Sequence, residues 1–168
     1  MKKLNSILIA LFIISGFSAN AQGKAAKSPA METKAIIGNV EVRITYCSPS
    51  VRDREIFGGL EPFGKVWRAG ANEATTMSFS NAVTINGSKL SAGTYSFFVT
   101  PSKEDNWEVI FNSEAKQWGV YKLDRKKDVL VSEASVTAID KNEKLKYSIE
   151  GNFIHLDWDT KRVSIRVN

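Results

Sequence analysis

Residues 40–46, Val40-Glu41-Val42-Arg43-Ile44-Thr45-Tyr46, alternate without a fault: Val40, Val42, Ile44 and Tyr46 fall on one face, Glu41, Arg43 and Thr45 on the other. A period of two marks a half-buried β-strand, because successive side chains of an extended chain point to opposite faces. The pattern recurs to the end of the chain. Thr75–Ser80 sets Met77 and Phe79 on one side, Val83 and Ile85 run into the Asn86-Gly87 pair of a tight hairpin turn, and Ser91-Ala92-Gly93 precedes the apolar tract of residues 94–101. Trp107, Val109 and Phe111 follow, then Trp118–Leu123, Val129–Ile139, and Leu145, Tyr147 and Ile149. Ile154, Leu156 and Trp158 read as one arm of a last hairpin across Asp159-Thr160-Lys161, with Val163, Ile165 and Val167 as the other. About nine or ten strands with no sustained helical period predict an all-β fold, an antiparallel β-sandwich, with a jelly-roll-like arrangement or a barrel as alternatives.

Working outward, 168 residues with 43% hydrophobic content fit one domain. Lys2 and Lys3, the apolar run Ile7–Phe17 and the small residues Ala19-Asn20-Ala21 read as a cleaved signal peptide over 1–21, so the mature chain is expected to begin at Gln22 and to be exported, to a periplasm or the medium. The run is too short for a retained span, and no cysteine stands at the cleavage site to take a lipid anchor. Residues 22–35 are small, polar and aperiodic and read as a flexible leader before a single domain over 36–168.

Removing residues 1–21 lowers the net charge from +5 to +3, too mild and too scattered for a nucleic-acid partner. The single cysteine, Cys47, excludes an internal disulfide and Cys-rich zinc sites, and reads as an inert residue ending its strand. His155, Asp157 and Asp159 alternate along a strand, spaced too far apart to converge on one ion, so they read as a solvated face and no metal is expected. No phosphate loop, nucleophile elbow or dinucleotide fingerprint occurs, and no cofactor is implied. The oligomeric state is not encoded in any of these patterns.

One stretch breaks the alternation: residues 49–76, PSVRDREIFGGLEPFGKVWRAGANEATT. A connection this long inside a domain is functional or pinned by its own side chains. Arg52, Arg54 and Arg68 offer planar forks for a carboxylate, phosphate or sulfate, while Asn72, Glu73, Thr75 and Thr76 add further hydrogen-bonding groups. Trp67, Trp118 and Tyr121 are candidates for an apolar face, whereas Trp107 and Trp158 read as core. The competing reading pairs the arginines with Glu55, Glu61 and Glu73 to order the loop.

The tract ITYCSPSVRDREIFGGLEPFGKVWRAGANEATT, followed by KLSAGTYSFFVTP, W-x-VIFN at 107–112, QWGVY at 117–121 and LDWDTKRVSIRV near the end, resembles the bacterial domain-of-unknown-function family 2911 from about Ile36 to Val167. The resemblance implies export and supplies no activity. At Cys47-Ser48 the chain departs from the family's serine followed by arginine or serine, leaving no basic group at position 48.

Three functions follow from these residues. The preferred one is a non-catalytic binding domain for a small anionic or sugar-like ligand, or for an envelope partner. The alternatives are a hydrolase of saccharides or esters, with Glu73 as acid or base and Arg68 as charge stabiliser, and a purely structural domain. A carboxylate pair, Glu55 with Glu61 or Glu61 with Glu73, would suit glycoside chemistry if the fold brought it together.

Overall fold

A computed structural model describes residues 27–168; the signal-peptide reading falls on residues outside that range. Among the described residues the fold is all-β, with nine strands. In chain order they are β1 Ala30–Ile37, β2 Val40–Cys47, β3 Thr75–Phe79, β4 Val83–Ile85, β5 Ser88–Leu90, β6 Gly93–Thr100, β7 Asn106–Asn112, β8 Asp128–Glu150 and β9 Phe153–Arg166. Seven form one antiparallel sheet in the order β1-β2-β3-β6-β7-β8-β9, and β4 and β5 form a separate hairpin. The turn of that hairpin is Asn86-Gly87, both at positive φ (48° and 88°), which is the conformation a tight two-residue turn demands.

The large sheet curls until its ends approach, a sandwich- and barrel-like arrangement. Leu145 N–H donates to Pro49 O (2.9 Å), Val51 N–H to Glu143 O (2.8 Å), and Thr33 Oγ1 to Tyr147 O (3.1 Å). Those bonds tie the first strands and the start of the long loop to the far half of β8. The Asn86 and Thr84 main chain also meets the end of β9, through Asn86 N–H to Arg166 O (2.9 Å) and Thr84 N–H to Asn168 O (2.7 Å). The far half of β8 and the end of β9 thereby gain main-chain partners, while β1 reaches β8 through the Thr33 hydroxyl.

Four elements differ from the reading of periodicity. β1 begins at Ala30, inside the stretch read as a leader, because it is an edge strand whose outward Glu32 and Lys34 pair with Arg43 (3.3 Å) and Glu41 (3.0 Å) and whose inward row is only partly buried. Trp118–Leu123 is not a strand; only Glu73 and Trp118 make an isolated bridge there. Val129–Ile139 and Leu145–Ile149 are halves of one strand, β8, and the two arms expected around Asp159 are one strand, β9. No hairpin turns at Asp159-Thr160-Lys161. The polar residues between the halves of β8 mark register shifts at Ala138/Asn142 and Asn142/Lys146, opposite Asp159 at φ 52°, so both strands bend through a corner without breaking.

The bend also revises the alternating row on β9. Asp157 is 2% exposed, with both carboxylate oxygens accepting from Arg162, and His155 Nδ1 lies 2.9 Å from Ser164 Oγ. That row is therefore not a solvated face.

The core beneath the long loop is aromatic. Trp67 stacks on Trp158 (centroids 5.5 Å), and Phe57 sets its edge against Trp67, Trp107 and Trp158 at 6.0, 4.7 and 6.0 Å. Edge-to-face and offset contacts of this kind add to the burial of large apolar area, so Phe57 anchors the loop to the sheet.

Candidate functional site

The 49–76 segment is ordered by its main chain more than by its charges. Val51–Arg54 is a turn closed by Arg54 N–H to Val51 O (3.2 Å), and its central residues Arg52 and Asp53 both take positive φ (51° and 55°). Left-handed backbone costs a non-glycine residue roughly 1–2 kcal/mol, so two in succession must be held by their surroundings. Arg52 N–H donates to Glu143 Oε1 (3.0 Å), and Glu61 N–H to Ile56 O (2.8 Å).

A second strained point positions Arg68. Ala69 is buried at φ 52°, and its carbonyl accepts from Thr75 Oγ1 (2.9 Å) and Tyr147 Oη (2.8 Å). Beside it Trp67 Nε1 donates to Gly70 O (3.0 Å), and a Cβ on Gly70 would meet Thr75 Oγ1 at 2.9 Å and Cys47 O at 3.1 Å. Trp67 (2% exposed) and Thr75 (0%) are thus scaffold, not ligand-facing groups. Their work is to fix the turn from which Arg68 projects.

Three guanidiniums converge on one cleft of about 300 Å³, whose wall also includes Lys27, Glu61, Asn72 and Trp158. Arg52 Nη2 donates to Lys27 O (3.0 Å), Arg54 Nε and Nη2 to Val51 O (2.9 Å) and Ser50 O (2.6 Å), and Arg68 Nη1 to Asn72 O (2.8 Å). A guanidinium carries five N–H donors, so each keeps several free. Among the described residues none of the three makes an ion pair within 4.0 Å with a carboxylate, so the expected pairing with Glu55, Glu61 and Glu73 does not form. Four cations face one carboxylate, Glu61, whose pKa burial pushes up to about 7 although the Arg68 and Arg54 charges pull the other way. Trp158, 1% exposed, completes the wall, and among the described residues its buried indole N–H has no acceptor.

A second groove, about 530 Å³, lies on the other side of the same turn: Gly70, Ala71 and Asn72 line the cleft, Glu73 and Ala74 the groove. It holds Trp118, 58% exposed, with Gln117, Cys47, Thr45 and Thr76. Ala74 N–H to Gln117 O (3.0 Å) ties the 113–124 loop to the turn. Gly119, at φ 60°, passes so close to Arg68 that a Cβ would sit 2.9 Å from Nη1.

The structure therefore gathers Arg52, Arg54, Arg68 and Asn72 in one cleft and Glu73 with Trp118 in its neighbour, leaves Trp67 and Thr75 in the core, and sets Tyr121, 79% exposed, apart from both. Glu73 and Arg68, the acid and charge stabiliser of the hydrolase alternative, line different walls. Glu61 and Glu73 line different cavities, and Glu55 is exposed and lines neither of them. Glu61 and Trp158 were read as a loop-pairing acid and a core residue. Glu61 stands midway between Arg54 and Arg68 in a segment with three arginines, and that was the available signal for it, whereas nothing in a strand pattern shows that Trp158 borders a cleft.

The fold is an all-β domain of sandwich and barrel type, with an arginine-lined cleft and a more apolar groove on either side of the turn at residues 70–74. The chain belongs to the family described as "Protein of unknown function (DUF2911)", whose model matches residues 28–167, a span that takes in β1. Comparison with the curated proteins and with the solved structures finds no match. Among the described residues no helix is long and apolar enough to cross a membrane.

Proposed function

We propose that the domain is a non-catalytic binding module for a small oxyanion, held in the cleft of Arg52, Arg54 and Arg68. The observation that carries this reading is the set of guanidiniums fixed by main-chain carbonyls with no carboxylate partner. Planar forks fixed in this way are pre-organised for a carboxylate, phosphate or sulfate, since little conformational freedom is left to lose on binding. The strained Arg52-Asp53 turn supports the same view, because backbone strain is retained where it places a group.

The adjoining groove extends the ligand class. An exposed indole with a carboxylate and hydroxyl groups nearby suits a sugar ring, so the ligand class extends to an acidic saccharide of the envelope, with its anionic group in the cleft and a ring on Trp118. Export to the periplasm or the medium, supported by the Lys2-Lys3 start and the apolar run after it, would bring the module to such ligands.

Titration of the mature chain with sulfate, phosphate and galacturonate in chloride-free buffer, followed by calorimetry, tests the proposal. Saturable binding that weakens at least about tenfold in Arg54→Ala and Arg68→Ala is expected, each being a charge-assisted contact. Absence of saturable binding by all three anions would refute it.

A further inference from the structure

Glu61 lines the arginine cleft without pairing with any of its cations. Its main chain is fixed on both sides, by Glu61 N–H to Ile56 O (2.8 Å) and Gly58 N–H to Glu61 O (3.0 Å), which holds its backbone at the wall of the cleft. Facing it are Lys27, Arg52, Arg54 and Arg68. The other carboxylates of the neighbouring segments, Asp53, Glu55 and Glu143, are exposed and lie outside the lining.

We propose that this cleft takes up its anion together with one proton, which comes from solvent and is held on the Glu61 carboxyl. The inference rests on the reading of the cleft as an oxyanion site. A bound oxyanion and an ionised Glu61 within about 300 Å³ repel each other, whereas a neutral carboxyl removes the repulsion and becomes a hydrogen-bond donor to the ligand. Burial has already brought the group to the edge of protonation, with a pKa of about 7. By linkage, whatever anion binding does to the Glu61 pKa, protonation does to anion affinity. Binding raises that pKa further, so affinity is full at low pH and falls as pH rises through neutrality. Glu61 thereby makes the module release its ligand in alkaline surroundings and retain it in acid.

Inorganic sulfate is the probe, since it stays fully ionised from pH 5.5 to 8.5 and cannot itself supply the proton. If the bound-state pKa is raised by one unit or more, sulfate affinity falls roughly fivefold or more between pH 6 and pH 8. Calorimetry at pH 7.5 in two buffers of different ionisation enthalpy then reports proton uptake by the wild type. Glu61→Gln should show no uptake and should bind at both pH values with about the wild-type affinity at pH 6. Equal wild-type affinity at pH 6 and pH 8 without proton uptake would overturn the inference while leaving the oxyanion site standing, as would a pH dependence that persists in Glu61→Gln. No sulfate binding by wild type at any pH would remove the proton-coupled site, and if phosphate and galacturonate also failed, the oxyanion reading with it.

Discussion

Asp157 and Arg162 form a bidentate ion pair within a single β-strand, Nε to Oδ1 and Nη2 to Oδ2 both at 2.7 Å. In a straight strand residues five apart stand about 16 Å from each other on opposite faces. They meet because β9 bends at Asp159, and the pair locks the bend. The Asp157 side chain is 3% exposed and that of Arg162 28%, with Lys146 Nζ at 3.8 Å from the same carboxylate.

Removing Arg162 leaves a buried carboxylate with only the longer Lys146 contact, so Arg162→Ala should lower unfolding free energy by about 3–5 kcal/mol. Urea midpoints at unchanged slope measure this. The double change Asp157→Leu with Arg162→Met should recover most of the loss, because the two desolvation costs disappear together. A double variant as unstable as the single one would show that packing, not the charge pair, holds the corner.

Arg68→Ala and Glu73→Ala should each cost under about 1 kcal/mol, since Glu73 is exposed and neither side chain belongs to an ion pair among the described residues. Thermal or urea melts decide it. A loss of about 3 kcal/mol or more at both positions would restore the loop-pairing account.

Glu61 makes stability depend on pH with a definite sign. Its folded pKa of about 7 lies above the ordinary 4.5, so the native state binds more protons than the unfolded one between those values, and stability falls as pH rises from 4.5 through 7. Glu61→Gln should therefore be near neutral at pH 4 and stabilising at pH 8 by roughly 1–2 kcal/mol, after allowance for the partial exposure of the group. Denaturant midpoints of both proteins across this range provide the check. Parallel curves would mean that Glu61 titrates like a surface carboxylate.

Gly119→Ala should cost about 1–2 kcal/mol, the penalty of placing a Cβ at φ 60°. The new methyl also displaces the Arg68 guanidinium, so sulfate binding should weaken along with stability. A variant that loses stability yet binds as before would place Arg68 outside the contact.

Strand content was legible because inward rows such as Val42, Ile44 and Tyr46 obey period two whatever their partners. Connectivity was less so. The polar stretch before Leu145 has the composition of a turn, yet β8 runs through it as a bulge, and nothing local distinguishes a bulge from a loop when the deciding bonds lie on another strand. β1 was missed for a related reason: Ala30–Ile37 buries little, and its order comes from main-chain pairing with β2. At the site, the arginines announced themselves by type, but the sorting of Trp67 to the core and Trp118 to the surface depends on which loop crosses which strand. Both sit beside polar residues or glycine, and composition treats them alike.

The closure of the sheet sets an order on folding. Ser48 Oγ donates to Leu145 O across 97 residues of chain, and the neighbouring main-chain bonds of Pro49 and Val51 span similar loops. Contacts so distant in sequence repay their loop-closure entropy only late, which places the domain among slow folders, in the millisecond-to-second range. During synthesis β1 and β2 emerge long before the half of β8 that ties them down, so the amino-terminal strands wait with open edges until almost the entire polypeptide is available.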